Sequence, residues 1–213
     1  MNPHCHDAVQ QERRRSIERY YRVHASIYDL TRWSFLLGRE ALARQVACSL
    51  DPARILEVGC GTGKNLLQLG EQFPQARLWG LDLSSDMLAV AQKKLQNLTP
   101  RLTLIQAAYD RPVGEGPAFD LVVFSYALSM FNPGWEEALD AARHDLAPAG
   151  AIAVVDFHDS GLGLFKRWMG LNHVRLDGHL LPGLQSRFPS HHAAIQPAYG
   201  GLWSYFRFIG RIS

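Results

Sequence analysis

Glu57-Val58-Gly59-Cys60-Gly61-Thr62-Gly63 sets three glycines at alternate positions directly after the apolar run Ile55-Leu56. Residues 54–58 read as a buried strand, and 65–73 as a helix stopped before Pro74. A glycine loop between a first strand and a first helix lies at the carboxyl end of an open α/β sheet, where ligands bind. The glycines let the backbone pass close to a ligand and leave N–H donors free. Two phosphate-binding loops fit poorly. A P-loop needs GxxxxGK followed by Ser or Thr, whereas Val58 stands at its leading glycine and Asn65 follows Gly63-Lys64. A dinucleotide loop wants GxGxxG, whereas the third glycine comes one residue early and Lys64 takes its place. The remaining bland reading is a glycine turn with no ligand.

Outward from the loop, strands and helices alternate. Residues 77–82 read as a second strand. Ser84 is placed to cap a helix that carries Met87, Leu88, Ala91 and Leu95 on one stripe. Further strands are expected at 102–107 and 120–125, the latter an unbroken apolar run suited to a central parallel strand. An amphipathic helix is expected at 135–146. Ala147-Pro148-Ala149-Gly150 reads as a turn into a strand at 151–157. A helix over 180–188 and strands at 192–198 and 203–209 follow, the last two joined by Gly200-Gly201 as an edge hairpin. Before the loop, 7–22 and 38–48 read as helices, ended by Asp51-Pro52. This alternation implies an α/β domain with a mostly parallel sheet covered on both faces. Without repeats or low-complexity linkers, one domain over 1–213 is expected: a helical cap at 1–50, a core at 51–158 and a substrate-side segment at 159–213.

Polar groups collect at the expected carboxyl ends of the strands. Asp82 ends the second strand about 20 residues past the loop, where an acidic side chain can accept both hydroxyls of a ribose. Asp110, in Ala107-Ala108-Tyr109-Asp110, suits either a loop cap or an adenine amino group. Ser125 and Tyr126 end the fourth strand, and Asp156 and His158 the fifth. Glu57 is a lone carboxylate in a strand otherwise built of Ile, Leu and Val, so it needs a partner.

The spacing E-x-G-x-G-x-G resembles motif I of the class I methyltransferases, and the order of features from Arg54 to Phe157 is similar to that family. The resemblance implies a Rossmann-like, seven-stranded, mostly parallel sheet with an N-terminal helical extension. It implies S-adenosylmethionine as cofactor, leaving as S-adenosylhomocysteine. It sets Tyr28, Arg32, Glu57, Gly59, Gly61, Gly63, Asp82, Leu83, Met87, Ala108, Tyr109, Asp110, Ser125 and Tyr126 around that cofactor. Met87 suits either the adenine face or the core stripe of its helix. Glu57 would join loop N–H groups and the methionine ammonium in one network.

Two outer segments, Tyr20 to Arg39 and Phe165 to Trp203, resemble the methyltransferases of bacterial betaine-lipid synthesis, which trimethylate diacylglyceryl homoserine. Tyr28-Asp29 and Gly38-Arg39 are also similar to the phosphatidylethanolamine N-methyltransferases. The resemblance implies successive methylation of a lipid amine. Such a product is a fixed cation that aromatic faces hold, with Tyr20, Tyr21, Tyr28, Trp33 and Tyr126 as candidates for the wall. Tyr21, Tyr28, Asp156 and His158 are the catalytic candidates, for holding the cation or accepting a proton. Tyr20, Trp33, His173, Arg175, His179 and Tyr199 are the headgroup candidates, Arg175 for a carboxylate.

Charge is uneven along the chain. Residues 1–54 carry nine basic and six acidic side chains, 55–160 seven and thirteen, and 161–213 six and one. Basic ends brought to one face would attract anionic lipid; a solvated surface is the plain alternative. Arg13, Arg14, Arg15, Arg19 and Arg22 would meet headgroups, and Phe165, Trp168 and Met169 beside Lys166 and Arg167 would insert. Neither a signal core nor a membrane span of ~20 apolar residues is present. Cys5, Cys48 and Cys60 suit a reducing compartment and no metal site, and His4-Cys5-His6 reads as a frayed end. The expectation is a cytoplasmic protein, peripheral at the inner face of the membrane, monomeric or weakly oligomeric. No DPPY-like or NPPF-like motif follows the fourth strand, which argues against a nucleic-acid substrate. The rival is a small-molecule methyltransferase acting on a quinone precursor or a soluble amine.

Overall fold

β1 (Arg54–Val58) pairs with β2 (Arg77–Asp82) on one side and β4 (Phe119–Ser125) on the other, both in parallel. The computed structural model describes residues 36–114, 118–171 and 174–212. β3 (Leu102–Gln106) adds beyond β2, and β5 (Leu146–Phe157) beyond β4, both parallel. β6 (Ser190–Ala198) and β7 (Trp203–Arg211) form an antiparallel hairpin, with β7 laid against β5. The order is β3-β2-β1-β4-β5-β7-β6. This is the expected seven-stranded, mostly parallel sheet, with β7 running against the other six and β6 at the edge beyond it.

Period-two alternation divides the sheet between two cores. Leu121 and Val123 of β4, with Ala151, Ala153 and Val155 of β5, pack on one face against α1 (Arg39–Ala47), α2 (Lys64–Gln72) and α3 (Ser85–Lys94). Val122, Phe124, Ile152 and Val154 pack on the other against α4 (Trp135–Asp145) and α6 (Leu180–Arg187). Both faces are therefore apolar, as the unbroken run in β4 requires. Ser84 caps α3 by accepting from Met87 N at 3.3 Å, as its position suggested.

Two sequence readings need correction. Residues 147–150 do not turn: they belong to β5, where the step from Phe119 to Leu121 on β4 is matched by the step from Leu146 to Ala151. The extra residues bulge, and Pro148, which lacks an N–H, sits exposed there. Gly150 is required because a Cβ would lie 2.9 Å from the carbonyl oxygens of both Ala147 and Phe119. Residues 163–171, given no element in the sequence reading, form helix α5 (Gly163–Leu171). The helix expected at 7–22 lies outside the described residues. Among the described residues, no helix is long and apolar enough to cross a membrane.

Candidate active site at the carboxyl edge of the sheet

The loop after β1 folds back onto the end of β2. Gly59 N and Cys60 N both donate to Leu81 O, at 2.8 and 3.0 Å, and Gly63 N donates to Cys60 O at 3.0 Å. Gly59 has φ 69° and Gly61 φ 54°, conformations that L side chains resist. At Gly59 the demand is double, because a Cβ would also stand 2.7 Å from Ala127 Cβ. At Gly61 a Cβ would meet nothing within 4 Å, since the position faces an open cleft.

That cleft holds about 240 Å³. The glycine loop, the end of β2 and residues 107–110 line one side; Ser125 to Ala127, residues 130–134 and Arg39 line the other. Asp82 spans the loop: Oδ2 accepts from Gly61 N at 2.8 Å and Oδ1 from Ser84 N at 2.9 Å. An ionised carboxylate offers about four acceptor positions, so Asp82 keeps capacity for a ligand diol. Burial pushes its carboxyl up, and the N–H bonds from Ser84, Gly61 and Leu83 pull the other way.

Glu57 lies beneath the loop, 1% exposed. Asn65 Nδ2 donates to its Oε1 at 3.0 Å, while Oε2 is buried without a partner. Burial pushes the Glu57 carboxyl up to about 8; the Arg39 charge and the Asn65 bond oppose this, and the Asp82 charge adds to it. Arg39 Nε is likewise buried and unpartnered, and the guanidinium carbon sits 5.8 Å from the Tyr126 ring centroid. Tyr126 itself holds φ 56°, a costly value for a bulky residue. Its hydroxyl donates to Leu37 O at 2.6 Å, and its ring meets Phe157 edge-on at 4.7 Å. Cys60 also lines the cleft, but burial and the Asp82 and Glu57 charges push its thiol up, so it stays protonated and unreactive.

Residues 55–150 match the family described as a methyltransferase domain. The sheet has the α/β fold of the methyltransferases. The chain is similar to the demethylmenaquinone methyltransferase of Thermus thermophilus, 32% identical over 143 residues, covering 65% of this chain and 64% of that protein. It is also similar to a trans-aconitate 2-methyltransferase of Streptomyces avermitilis, 37% identical over 115 residues, covering 54% of this chain and 42% of the relative. The chain thus spans less than two thirds of the curated relatives it matches first. Among solved structures, phosphoethanolamine N-methyltransferase 2 of Haemonchus contortus, bound to phosphomonomethylethanolamine and S-adenosylhomocysteine, aligns with TM-score 0.70. At 16% identity over 81% of this chain and 52% of that one, it shares the fold.

Around this cleft, the residues read from the sequence divide into three groups. Gly59, Gly61, Asp82, Leu83, Ala108, Tyr109, Asp110, Ser125 and Tyr126 line the cleft together. Glu57 and Gly63 support it without lining it, Gly63 as the residue before α2. Met87 does not line the cleft: it is 1% exposed, one of the buried residues of α3 with Leu88 and Ala91. Tyr109 lines the cleft while its hydroxyl donates to Asp145 Oδ2 at 2.9 Å.

Asp156 and His158 stand apart from the cleft lining. Asp156 is fully buried and holds the turn behind the wall, accepting from Ser129 N at 3.1 Å and Phe157 N at 2.8 Å. Burial pushes its carboxyl up to about 6, against those hydrogen bonds. His158 is tied by its backbone to Ser204 O and Gly178 N. Arg175 and His179 both engage Asp177, and Arg175 N donates to Ser129 O at 2.9 Å, so this cluster backs the wall from outside. Tyr199 is exposed at the β6–β7 turn. Tyr20, Tyr21, Tyr28, Arg32, Trp33 and His173 lie outside the described residues. Arg39, Asn65 and Phe131 are site residues that sequence reasoning left out. The signal for Asn65 was its place in the first turn of α2, eight residues past the buried Glu57. Among the described residues, no three His, Cys, Asp or Glu side chains gather to hold a metal.

Proposed function

We propose that this chain transfers methyl groups from S-adenosylmethionine to the amino group of a membrane-lipid headgroup. The observation that carries the cofactor reading is the pair of carboxylates at the ends of β1 and β2. Asp82 faces the cleft with its oxygens fixed by backbone N–H groups, and Glu57 has one buried oxygen without a partner. Two carboxylates repel the phosphates of a dinucleotide and suit a ligand with a ribose, an ammonium and a positive sulfur. Asp82 accepts the ribose hydroxyls, and Glu57 with Asn65 receives the ammonium. Arg39 pairs with the carboxylate, and Leu83, Ala108, Tyr109 and Asp110 border the adenine. Bound there, S-adenosylmethionine supplies a methyl group on a positive sulfur, which departs as a neutral thioether.

The chain's own task is to hold the acceptor nitrogen in line, which converts an encounter into a positioned reaction. Tyr126 and Phe131 give the cleft aromatic walls, and cation–π attraction to such faces favours a nitrogen that gains methyl groups. The family resemblance adds Tyr20, Tyr21, Tyr28 and Trp33 as further aromatic candidates for holding that cation. The lipid acceptor, diacylglyceryl homoserine by preference, draws support from the residue pattern of the two outer segments and from the basic ends of the chain. On this reading the protein works at the inner face of the cytoplasmic membrane, as a monomer or weak oligomer, with the N-terminal arginines on anionic headgroups. The demethylmenaquinone and trans-aconitate relatives favour a second reading, a small-molecule acceptor.

The test is methyl transfer from labelled cofactor to mixed micelles of diacylglyceryl homoserine or phosphatidylethanolamine, read as lipid mass. Stepwise gain of methyl groups on the homoserine lipid is expected. Gain only on phosphatidylethanolamine moves the headgroup. Gain only on a soluble quinone precursor or free amine overturns the lipid reading.

A further inference from the structure

Among the described residues, large apolar side chains left in water gather on one element. Leu162, Leu164, Trp168 and Leu171 are 53%, 83%, 49% and 81% exposed, and all four lie on α5 or directly before it. Leu164, Trp168 and Leu171 follow i, i+4, i+7 spacing, which lines them along one stripe of the helix. The opposite side is anchored: Met169 is 5% exposed, and Phe165 packs against the core. Leu164 and Leu171 are therefore surplus to the fold, while Trp168 stays half exposed against the ring of Phe165. Leaving such side chains in water forgoes burial that a docked surface would restore.

The charge around the stripe is one-sided. α5 carries Lys166 and Arg167 and no acidic residue, and residues 161–213 carry six basic side chains against the single acid Asp177. Asp177 is already engaged by Arg175 and His179. Lys166 pairs with Asp159 at the base of the helix, while Arg167 lies three residues from Leu164 and four from Leu171, flanking the stripe. A short helix with exposed Leu and Trp between cationic neighbours matches the interfacial helices that lie in the headgroup layer of anionic bilayers.

Its place in the fold serves the cleft. α5 follows the carboxyl end of β5, on the edge where the cleft opens. Ser160 Oγ donates to Leu202 O at 2.6 Å, fixing the approach to the helix. Beyond it, Val174 N donates to Met169 O and Arg175 N to Ser129 O. Ser129 belongs to the turn Leu128–Met130, whose Met130 lines the cleft. A surface held by the stripe is thereby tied to the cleft wall through a few hydrogen bonds.

We propose that α5 docks the protein onto an anionic lipid bilayer, with Leu164, Trp168 and Leu171 entering the headgroup layer and Arg167 meeting lipid phosphates. This corrects the sequence reading, which assigned insertion to Phe165, Trp168 and Met169; only Trp168 faces out. The inference deepens the lipid-acceptor reading and rests on it for its purpose, but vesicle binding and methyl transfer are read separately.

The test is cosedimentation of the full chain with vesicles of phosphatidylglycerol and phosphatidylcholine, against phosphatidylcholine alone. Leu164→Asp/Leu171→Asp is compared with wild type and with Ile195→Asp, a control on β6 that is also half exposed. Both sites are exposed, so melting temperature should be kept. The expected result is binding to anionic vesicles that the double variant weakens by at least about tenfold and Ile195→Asp leaves unchanged. Equal binding by wild type and double variant overturns the proposal, assigning membrane contact elsewhere in the chain. So does a wild-type dimer that Leu164→Asp/Leu171→Asp dissociates while vesicle binding persists, since the stripe then serves a second copy. Binding through α5 without methylation of any lipid leaves docking in place and sinks the lipid-acceptor reading instead.

Discussion

The two halves of the carboxyl edge are built on opposite plans. At β1 and β2 the site is made of backbone: Leu81 O takes two loop N–H groups, Asp82 takes two more, and each glycine is held by φ or by contact. At β5 and α5 the edge is made of side chains, some locked beneath the surface like Asp156 and some left in water like Leu164 and Leu171. The first plan suits a ligand whose shape never changes, because a loop tied down by its own hydrogen bonds cannot adjust. The second suits, on the lipid reading proposed above, an acceptor presented by something larger than the cleft. The difference teaches that a loop fixed by its own hydrogen bonds and an edge built of side chains obey different physical constraints within one sheet.

The sharpest way to break this contrast is at Asp82. Asp82→Ala removes an acceptor shared by two loop N–H groups and a ligand diol, and should weaken S-adenosylmethionine binding about 100-fold by calorimetry, since charge-assisted bonds contribute roughly 1.5–3 kcal/mol each. A loss below threefold would mean the backbone alone shapes the site. Gly59→Ala follows, forcing a side chain into a left-handed backbone against Ala127 Cβ. It should cost about 1–3 kcal/mol in urea unfolding, whereas Gly61→Ala, with open space ahead, should cost less and impair binding more.

Protonation sharpens the contrast further. The Glu57 carboxyl is raised from 4.5 to about 8 by burial, and Asp156 from 3.8 to about 6. Folding therefore favours their protonated forms. That stability is fully present below the unfolded values and is lost as pH rises through the folded ones. The ligand-free protein should melt at progressively lower temperature from pH 5 to pH 8, and Glu57→Gln should remove the decline between pH 6 and 8. Glu57 must ionise to receive an ammonium, so cofactor affinity should rise by up to about tenfold per pH unit until about pH 8. The smallest expected effect is at Tyr126→Phe, which deletes the bond to Leu37 O. It should cost about 0.5–1.5 kcal/mol in thermal unfolding and leave cofactor affinity within about threefold.

How far the sequence could be read follows the same division. The glycine loop, Asp82 and the apolar run of β4 were legible because backbone conformation and sheet burial restrict residue choice locally. Glu57 was conspicuous as one carboxylate among Ile, Leu and Val. Its surroundings were not, because the Asn65 bond and the Arg39 charge come from separate helices and no local pattern ties them together. Residues 147–150 looked like a turn, since Pro and Gly serve a strand bulge as readily as a loop. α5 escaped notice because Leu164, Phe165, Trp168, Met169 and Leu171 make it apolar on both sides, so periodicity marks no inner face. Asp156 carried the right chemistry at the right strand end, and only the hydrogen bonds from Ser129 and Phe157 show it turned away from the cleft.

The central claim is that the carboxylate pair at β1 and β2 receives S-adenosylmethionine. Calorimetric titration of the wild-type chain with S-adenosylmethionine at pH 8 tests it most directly. Saturable binding at one site, with proton release when the titration is repeated at pH 6.5, is the predicted result. No binding at either pH, from protein that still melts cooperatively, would contradict it.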